Sequence, residues 1–280
     1  MKDLSNENVI HIIKDGVQYL QFRKLLEYDN IITHAYSLGT DLNFRTAKIN
    51  KEALPENEYN KAIDSYKKIC NSLGTDYKNI VKTNQEHTKT IKIVKEKINK
   101  EFMDINLEEY KETDGMITNK RNLMLSTTNA DCILFLFFDP DTKTIANVHS
   151  GWKGTLQRIS AKTVERMQKE FNCKPENIIC CICPSIRKCH FKVHADVQEP
   201  YYNEFKNLKE IDNLIVPVPG EDRWAIDTVE INKIILKDAG LRDENIVDCG
   251  ICSVCNSDLI HSFRVEKENY GLGTAIIELK

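Results

Sequence analysis

Short apolar runs alternate with polar turns from Val9 onward, and the first pair, Val9 to Ile13 and Val17 to Phe22, is separated by Lys14-Asp15-Gly16. Asp-Gly between two such runs predicts a hairpin, because these residues accept the backbone of a tight turn. A third strand is expected over Ile31 to Leu38. From Glu56 to Leu73 the period changes: Tyr59, Ala62, Ile63, Tyr66, Ile69, Cys70 and Leu73 recur in steps of three and four, and Gly74 ends the run. That pattern predicts an amphipathic helix. Ile80 to His87 reads as a short strand entering a polar turn, with Ile91 to Val94 expected to pair back on it. Lys89 to Glu101 mixes five lysines with two glutamates and reads as a solvated surface.

The strongest pattern lies in the middle. Two apolar runs, 132–138 and 144–149, flank Asp139-Pro140-Asp141-Thr142-Lys143, which predicts a buried β-hairpin. Asp114 to Thr118 and Leu123 to Thr127 lead into it. After Gly154, Leu156, Ile159, Thr163, Val164, Met167 and Phe171 fall at helical spacing. The turn Ser150-Gly151-Trp152-Lys153-Gly154-Thr155 is thus expected at a helix N-terminus, where free backbone N–H groups favour an anion such as phosphate. The second half continues with strands at Ile178 to Ile182, Trp224 to Ile226, and near 246–249, 260–264 and 273–279. Helices are expected near Asp196 to Phe205 and from Val229 to Ala239, closed by Gly240. Frequent hairpins among alternating strands and helices imply an α+β fold, mixed or antiparallel sheets covered by helices, in one domain over 1–280.

Composition narrows the function. A net charge of −3 over 280 residues supplies no field for nucleic acid or an anionic membrane, and no nucleic-acid-binding motif appears. The longest apolar run, 132–138, is too short to span a bilayer, and the polar N-terminus reads as no export signal. A cytoplasmic protein is expected. Its ten cysteines then read as free thiols or metal ligands rather than a disulfide framework.

A buried hairpin accounts for the apolar residues but not for a thiol at the start of one strand and an imidazole at the end of the other. Antiparallel pairing around 139–143 brings Cys132 beside His149. His87, in a polar turn at a strand end, is the best third ligand among the seven histidines. Two imidazoles and a thiolate suit Zn²⁺ with one position open for water or substrate, and copper is also compatible with such a set. A buried thiol and isolated histidines are the competing reading. Cys180, Cys181 and Cys183 lie on one predicted strand, where alternate side chains face opposite ways and cannot share an ion. Cys249, Cys252 and Cys255, at three-residue intervals, could suggest a structural zinc or cluster, but are read first as buried thiols. Cys189, His190 and His194 suggest a second metal site one ligand short of the usual number.

Gln85-Glu86-His87, Asp114-Gly115-Met116-Ile117-Thr118, Ala130-Asp131-Cys132, His149-Ser150-Gly151-Trp152-Lys153-Gly154-Thr155, Pro184-Ser185-Ile186, and Cys252-Ser253-Val254-Cys255 with Ser262-Phe263-Arg264 fall in order along the chain. Together they resemble the YfiH-type laccase-domain family, also called the polyphenol oxidase or multi-activity purine nucleoside enzyme family, from about Ile31 to the C-terminus. The resemblance implies layers in the order α/β/β/α with mixed, largely antiparallel sheets, and zinc held by His87, Cys132 and His149. It also implies phosphorolysis of adenosine, inosine or methylthioadenosine to base and sugar 1-phosphate, together with adenosine deamination. An older label of the family is copper-dependent laccase. A multicopper centre consumes more imidazoles than seven scattered histidines furnish. A metal-binding partner module without catalysis is a further alternative.

On that reading Asp131, next to Cys132, is the candidate acid/base for deamination, its competing role being to hold the hairpin or orient a ligating histidine. Arg264 is expected to clamp phosphate, with Lys153 contributing at the helix N-terminus and Gln85 contributing to substrate binding; surface ion pairing is the alternative for Arg264 and Lys153. Several positions depart from the family pattern: Ile133-Leu134, where a proline is common two places after the cysteine; Cys183 and Arg187, where glycines are expected around Pro184-Ser185-Ile186; and Leu272, where an arginine is frequent. If Cys183 or Arg187 reached the pocket, substrate preference would change.

Overall fold

The computed structural model describes residues 2–46, 55–96 and 112–280; the C-terminal part of the lysine-rich run, 97–101, lies outside them. Among the described residues fifteen strands form, in chain order β1 (Val9–Lys14), β2 (Val17–Phe22), β3 (Ile32–Leu38), β4 (Ile80–Lys82), β5 (Ile91–Ile93), β6 (Gly115–Thr118), β7 (Met124–Asn129), β8 (Ile133–Asp139), β9 (Thr144–Ser150), β10 (Ile179–Ile182), β11 (Lys192–Val193), β12 (Ile215–Pro217), β13 (Trp224–Ile226), β14 (Ile246–Asp248) and β15 (Gly273–Leu279). One sheet has the order β1-β2-β3-β15-β7-β4, a second β14-β10-β8-β9-β6-β5, and a small third β11-β13-β12. Pairing is antiparallel except for β4 with β7, β5 with β6, and β10 with β14.

The two large sheets stack face to face. Leu20, Phe22, Tyr36, Leu125 and Ile277 of the first meet Leu134, Leu136, Phe138, Cys181 and Val247 of the second in one core. The outer face of the first sheet, Tyr19, Ala35 and Ile276, is covered by Tyr66, Ile69 and Cys70 of the helix Glu56–Leu73. The outer face of the second, Phe135, Phe137, Val148 and Cys180, is covered by the helices Ile159–Phe171 and Thr228–Asp238. The layering is therefore α/β/β/α. It explains why β8 is a continuous apolar run with every residue buried: its two faces look into two different cores. Cys180 and Cys181 divide between those cores as strand alternation requires, and Cys183 joins Cys181.

Three expectations are corrected. Ile91 to Val94 does not pair back on β4; β5 runs parallel to β6 in the other sheet, so the turn around His87 crosses between sheets. The segment 260–264 is not a strand: the Ser262 N–H donates to Glu266 Oε1, and a short helix, Phe263–Glu266, follows. The helix after Gly154 is broken. Trp152–Leu156 makes a short helix, Arg158 takes a left-handed backbone with φ of 55°, and the long helix begins at Ile159. The anion-favouring N-terminus expected at Ser150 to Thr155 thus belongs to a five-residue helix with little dipole behind it.

A fourth core gathers Val193, Tyr201, Phe205, Ile211, Leu214, Ile215, Ile226, Ile231 and Ile235 around the small third sheet. Its buried members come from one contiguous stretch of chain, with Trp152 and Leu156 packed against them.

Candidate metal centre and active site

β8 and β9 pair with Ile133 opposite Ser150 and Leu134 opposite His149. Cys132, just before β8, and His149, near the end of β9, therefore meet, as the hairpin register requires. His87 joins them from the turn after β4, and ligand atoms of the three lie within 4.8 Å of one another. Cys132 Sγ is 3.6 Å from His87 Nε2, close to the edge of about 3.5 Å that tetrahedral coordination with Zn–N and Zn–S bonds of about 2.0 and 2.3 Å produces. The two imidazoles stand edge to face, with centroids 4.9 Å apart.

Each ligand is held by backbone geometry. His87 has a φ of 59°, which turns its ring back toward β9. Gly151 makes room for it: a Cβ there would lie 2.1 Å from His87 Cδ2. The organising residue is Asp114, fully buried immediately before β6. One carboxylate oxygen is 2.7 Å from His149 Nδ1 and accepts from the His87 N–H at 3.1 Å; the other accepts from the N–H and hydroxyl of Thr88, both at 2.7 Å. The Asp114 carbonyl also accepts from the His149 N–H. One carboxylate thereby fixes two ligands and leaves His149 Nε2 to face the metal position, the usual way a carboxylate orients a ligating histidine. Asp114 stood in a quoted motif without a role. A lone acidic residue opening a buried strand was the available signal.

The protein's own charges favour the ligating form of the thiol. Burial pushes the Cys132 thiol up, but His149 and then His87 outweigh burial and bring it well down. Burial pushes His149 down, while Cys132 and then Asp114 outweigh burial and raise it. Both directions favour a thiolate at Cys132, the form that ligates a cation, and a cation bound there competes with the proton on His149.

The triad opens on a cavity of about 710 Å³, within the range of small-molecule sites. Its wall carries Arg45, Lys82 and Arg264 together with Trp152, Phe191, Phe263 and Tyr270. The Arg45 guanidinium lies 4.9 Å over the Tyr270 ring, and the Phe263 ring, 48% exposed, stands edge-on to Tyr270. Lys82 donates to the Phe44 carbonyl and the Thr46 hydroxyl, and desolvation pushes its pKa down to about 7.

Of the other sequence candidates, Arg264 lines the cavity and donates from Nη1 to the Lys192 carbonyl. Gln85 also lines it, but its amide is tied at both ends to β7, donating to the Thr128 carbonyl and accepting from the Thr128 N–H at 2.7 and 2.8 Å. Lys153 is not among the lining residues; its ammonium lies 5.4 Å over the Trp152 ring. Asp131 has a φ of 84° and a carboxylate that accepts from the hydroxyls of Ser253 and Ser262 and from the Arg264 N–H, at 2.6, 2.7 and 2.7 Å. These bonds favour the holding role over proton transfer. Arg187 forms a two-pronged ion pair with Asp248 and, like the buried Cys183, does not line the cavity, whereas Leu272 does.

Comparison with known proteins bears on the fold and the family. The chain is 27% identical over 216 residues to the purine nucleoside phosphorylase YlmD of Bacillus subtilis, covering 76% of this chain and 75% of that protein. It is 26% identical over 204 residues to the adenosine deaminase RL5 of an unknown prokaryotic organism, covering 73% and 76%. Its match to human LACC1, also named a purine nucleoside phosphorylase, is 29% identical and covers 60% of this chain but 38% of that longer protein. The fold is that of Bacillus licheniformis YfiH, with a TM-score of 0.80 at 23% identity over 96% and 99% of the two chains. YlmD of Geobacillus stearothermophilus superposes with a TM-score of 0.76 at 19% identity over the full length of both. The family model described as multi-copper polyphenol oxidoreductase laccase matches residues 46–280, and the chain belongs to that family.

Proposed function

We propose that this chain is a zinc enzyme of purine nucleosides, which cleaves adenosine, inosine or methylthioadenosine with phosphate and deaminates adenosine. The observation that carries this reading is the opening of a three-ligand His–Cys–His group onto a cavity that also holds Arg45, Lys82 and Arg264. Three protein ligands with an open side are the catalytic arrangement of zinc, and the mixed donor set fits that ion. When bound, zinc supplies a Lewis acid beside the cleft.

The remaining work falls to the chain. Arg264 and Lys82 hold phosphate, Arg264 with a fork suited to two oxygens and Lys82 as a point charge. In phosphorolysis a phosphate oxygen bonds to the anomeric carbon as the bond to the base nitrogen breaks, and the departing base takes a proton. The anionic nucleophile must therefore be held against a sugar that gains positive charge, which is the service two cations in one wall perform. Phe263 and Tyr270 offer faces and edges for a planar base. Asp131 keeps the Ser253 and Ser262 loops and the Arg264 backbone in place, and Gln85 fixes the cavity wall to β7. The likeness to proteins named purine nucleoside phosphorylase and adenosine deaminase supports this substrate class. Ten cysteines without a disulfide suit a reducing cytoplasm, and no helix among the described residues is long and apolar enough to cross a membrane.

The family description keeps copper-dependent phenol oxidation as the second reading, since a His₂Cys set also accepts copper. The deciding experiment measures base and sugar 1-phosphate released from adenosine and inosine, with and without phosphate, by the wild type and Cys132→Ala, with metal content determined on both. Phosphate-dependent release that disappears with the metal is expected. A folded, zinc-loaded protein without turnover would sink the nucleoside reading, and a copper-loaded protein oxidising phenols would replace it.

A further inference from the structure

A second group of metal-ligating side chains lies outside the cavity. Cys189 and His190 stand in the turn before β11, and Cys252 and Cys255 in the loop after β14; one ligand atom from each lies within 4.8 Å of all the others. The individual distances are informative. Cys189 Sγ is 3.7 Å from Cys252 Sγ and 3.9 Å from Cys255 Sγ. His190 Nδ1 is 3.2, 3.7 and 3.5 Å from the sulfurs of Cys189, Cys252 and Cys255. A tetrahedron with Zn–S of about 2.3 Å and Zn–N of about 2.0 Å has S–S edges of about 3.8 Å and N–S edges of about 3.5 Å. All five separations fall within a few tenths of an ångström of those edges.

We infer that Cys189, His190, Cys252 and Cys255 form a second, structural zinc site that clamps these two loops together. The donor set is complete, three thiolates and an imidazole, which closes the coordination sphere and leaves no place for substrate. A soft, tetrahedral, sulfur-rich set selects zinc over the tetragonal preference of cupric copper. The surroundings are built for it. The backbone N–H groups of Cys255 and Arg187 are directed at the Cys252 sulfur. Ser185 and Cys252 form a β-bridge, and the Ser253 N–H donates to the Ser185 carbonyl. Every sulfur–sulfur separation given above is far longer than the about 2.05 Å of a disulfide. His194, the third residue of the sequence-level suggestion, is engaged elsewhere through Nδ1 with the Asp222 carbonyl; Cys252 and Cys255 take its place. Cys255, read from the sequence as a buried thiol, is exposed.

The clamp bears on the cavity. Phe191, next to His190, lines it, and Ser253, next to Cys252, donates to Asp131 beside Cys132.

The test is the zinc content of the full-length protein, purified without chelator and under reducing conditions. Two equivalents per chain are expected, falling to one in Cys189→Ser/Cys255→Ser and to one in His87→Ala/Cys132→Ala. Cobalt substitution of the second variant reads the proposed site without disturbing it: strong sulfur-to-cobalt charge transfer in the near ultraviolet, with the visible bands of a tetrahedral centre, is expected. A wild type with one equivalent that Cys189→Ser/Cys255→Ser leaves unchanged overturns the site. So does iron in place of zinc, absence of the cobalt bands, or peptide mapping that finds Cys252 disulfide-bonded to Cys255 or Cys189 in the protein as purified.

Discussion

His87, Cys132 and His149 converge where strands of two stacked sheets end, while Cys189, His190, Cys252 and Cys255 meet on two loops, with the sulfurs of Cys189 and Cys255 in residues exposed to solvent. The first group has three donors, a buried carboxylate behind two of them, and a cavity in front. The second has four donors and no cavity residue among them. An ion with an open position needs its ligands fixed by the rest of the fold, because it supplies little closure of its own. A four-coordinate ion can itself fix the loops that hold it. As proposed, the two sites use similar donors for opposite purposes.

The sharpest way to break this contrast is Cys132→Ala. Turnover is expected to fall to background and one metal equivalent to disappear, with the loop cluster retaining its own; activity that survives would detach the chemistry from the strand-borne site. Next, Asp114→Asn should weaken metal at the triad about 10–100-fold, as loss of a carboxylate behind a ligating histidine does, measured by competition with a chelator. Gly151→Ala acts on the other imidazole of the triad, because its Cβ would displace the His87 ring. Neither change should touch the cluster.

Smaller effects separate holding from chemistry. Asp131→Asn keeps the shape of a residue that accepts three hydrogen bonds and removes its charge. A cost of about 2–3 kcal/mol in urea unfolding is expected, with turnover of the folded protein reduced less than tenfold. A loss of about 10²–10⁴-fold without a stability change would mark a general acid or base instead.

The last effect is the movement of a proton. Lys82 is pushed from its ordinary 10.5 to about 7 by burial, so the unfolded chain holds the extra proton between those values. Stability therefore rises with pH across that window, and the penalty is complete below pH 7. An anion beside the ammonium reverses the shift. Phosphate binding at pH 8 should take up a proton, detected as a dependence of the calorimetric heat on buffer ionisation, and Lys82→Met should abolish it.

The central hairpin was legible because a seven-residue apolar run followed by a Pro-Asp turn admits few other structures, and its register alone brings Cys132 to His149. Apart from the family resemblance, His87 was legible only as a polar residue at a strand end. Its approach depends on β5 joining the second sheet rather than β4, a pairing between segments that carry no signal of their partner. Asp114 was hidden for the same reason: its value lies in what the turn at 86–88 and β9 bring to it. The loop cluster was divided between two motifs, Cys189-His190 and Cys252-x-x-Cys255, each short of ligands by itself. Distance along the chain, 63 residues between Cys189 and Cys252, concealed their union. The break at Arg158 escaped because the apolar period continues through it.

Those 63 residues contain nearly all of the fourth core, from Val193 to Ile235 with its own small sheet. A cation shared across their two ends closes that stretch of chain into a ring, and for as long as the ion stays bound, closure of a ring of that length restricts the unfolded chain by on the order of 4 kcal/mol. Topologically the cluster is then a clasp between the two ends of a loop whose middle already rests on the second sheet through Val229 and Leu236, and it joins the segment of chain leading to Phe191 at the cavity to the one carrying Ser253 beside Asp131.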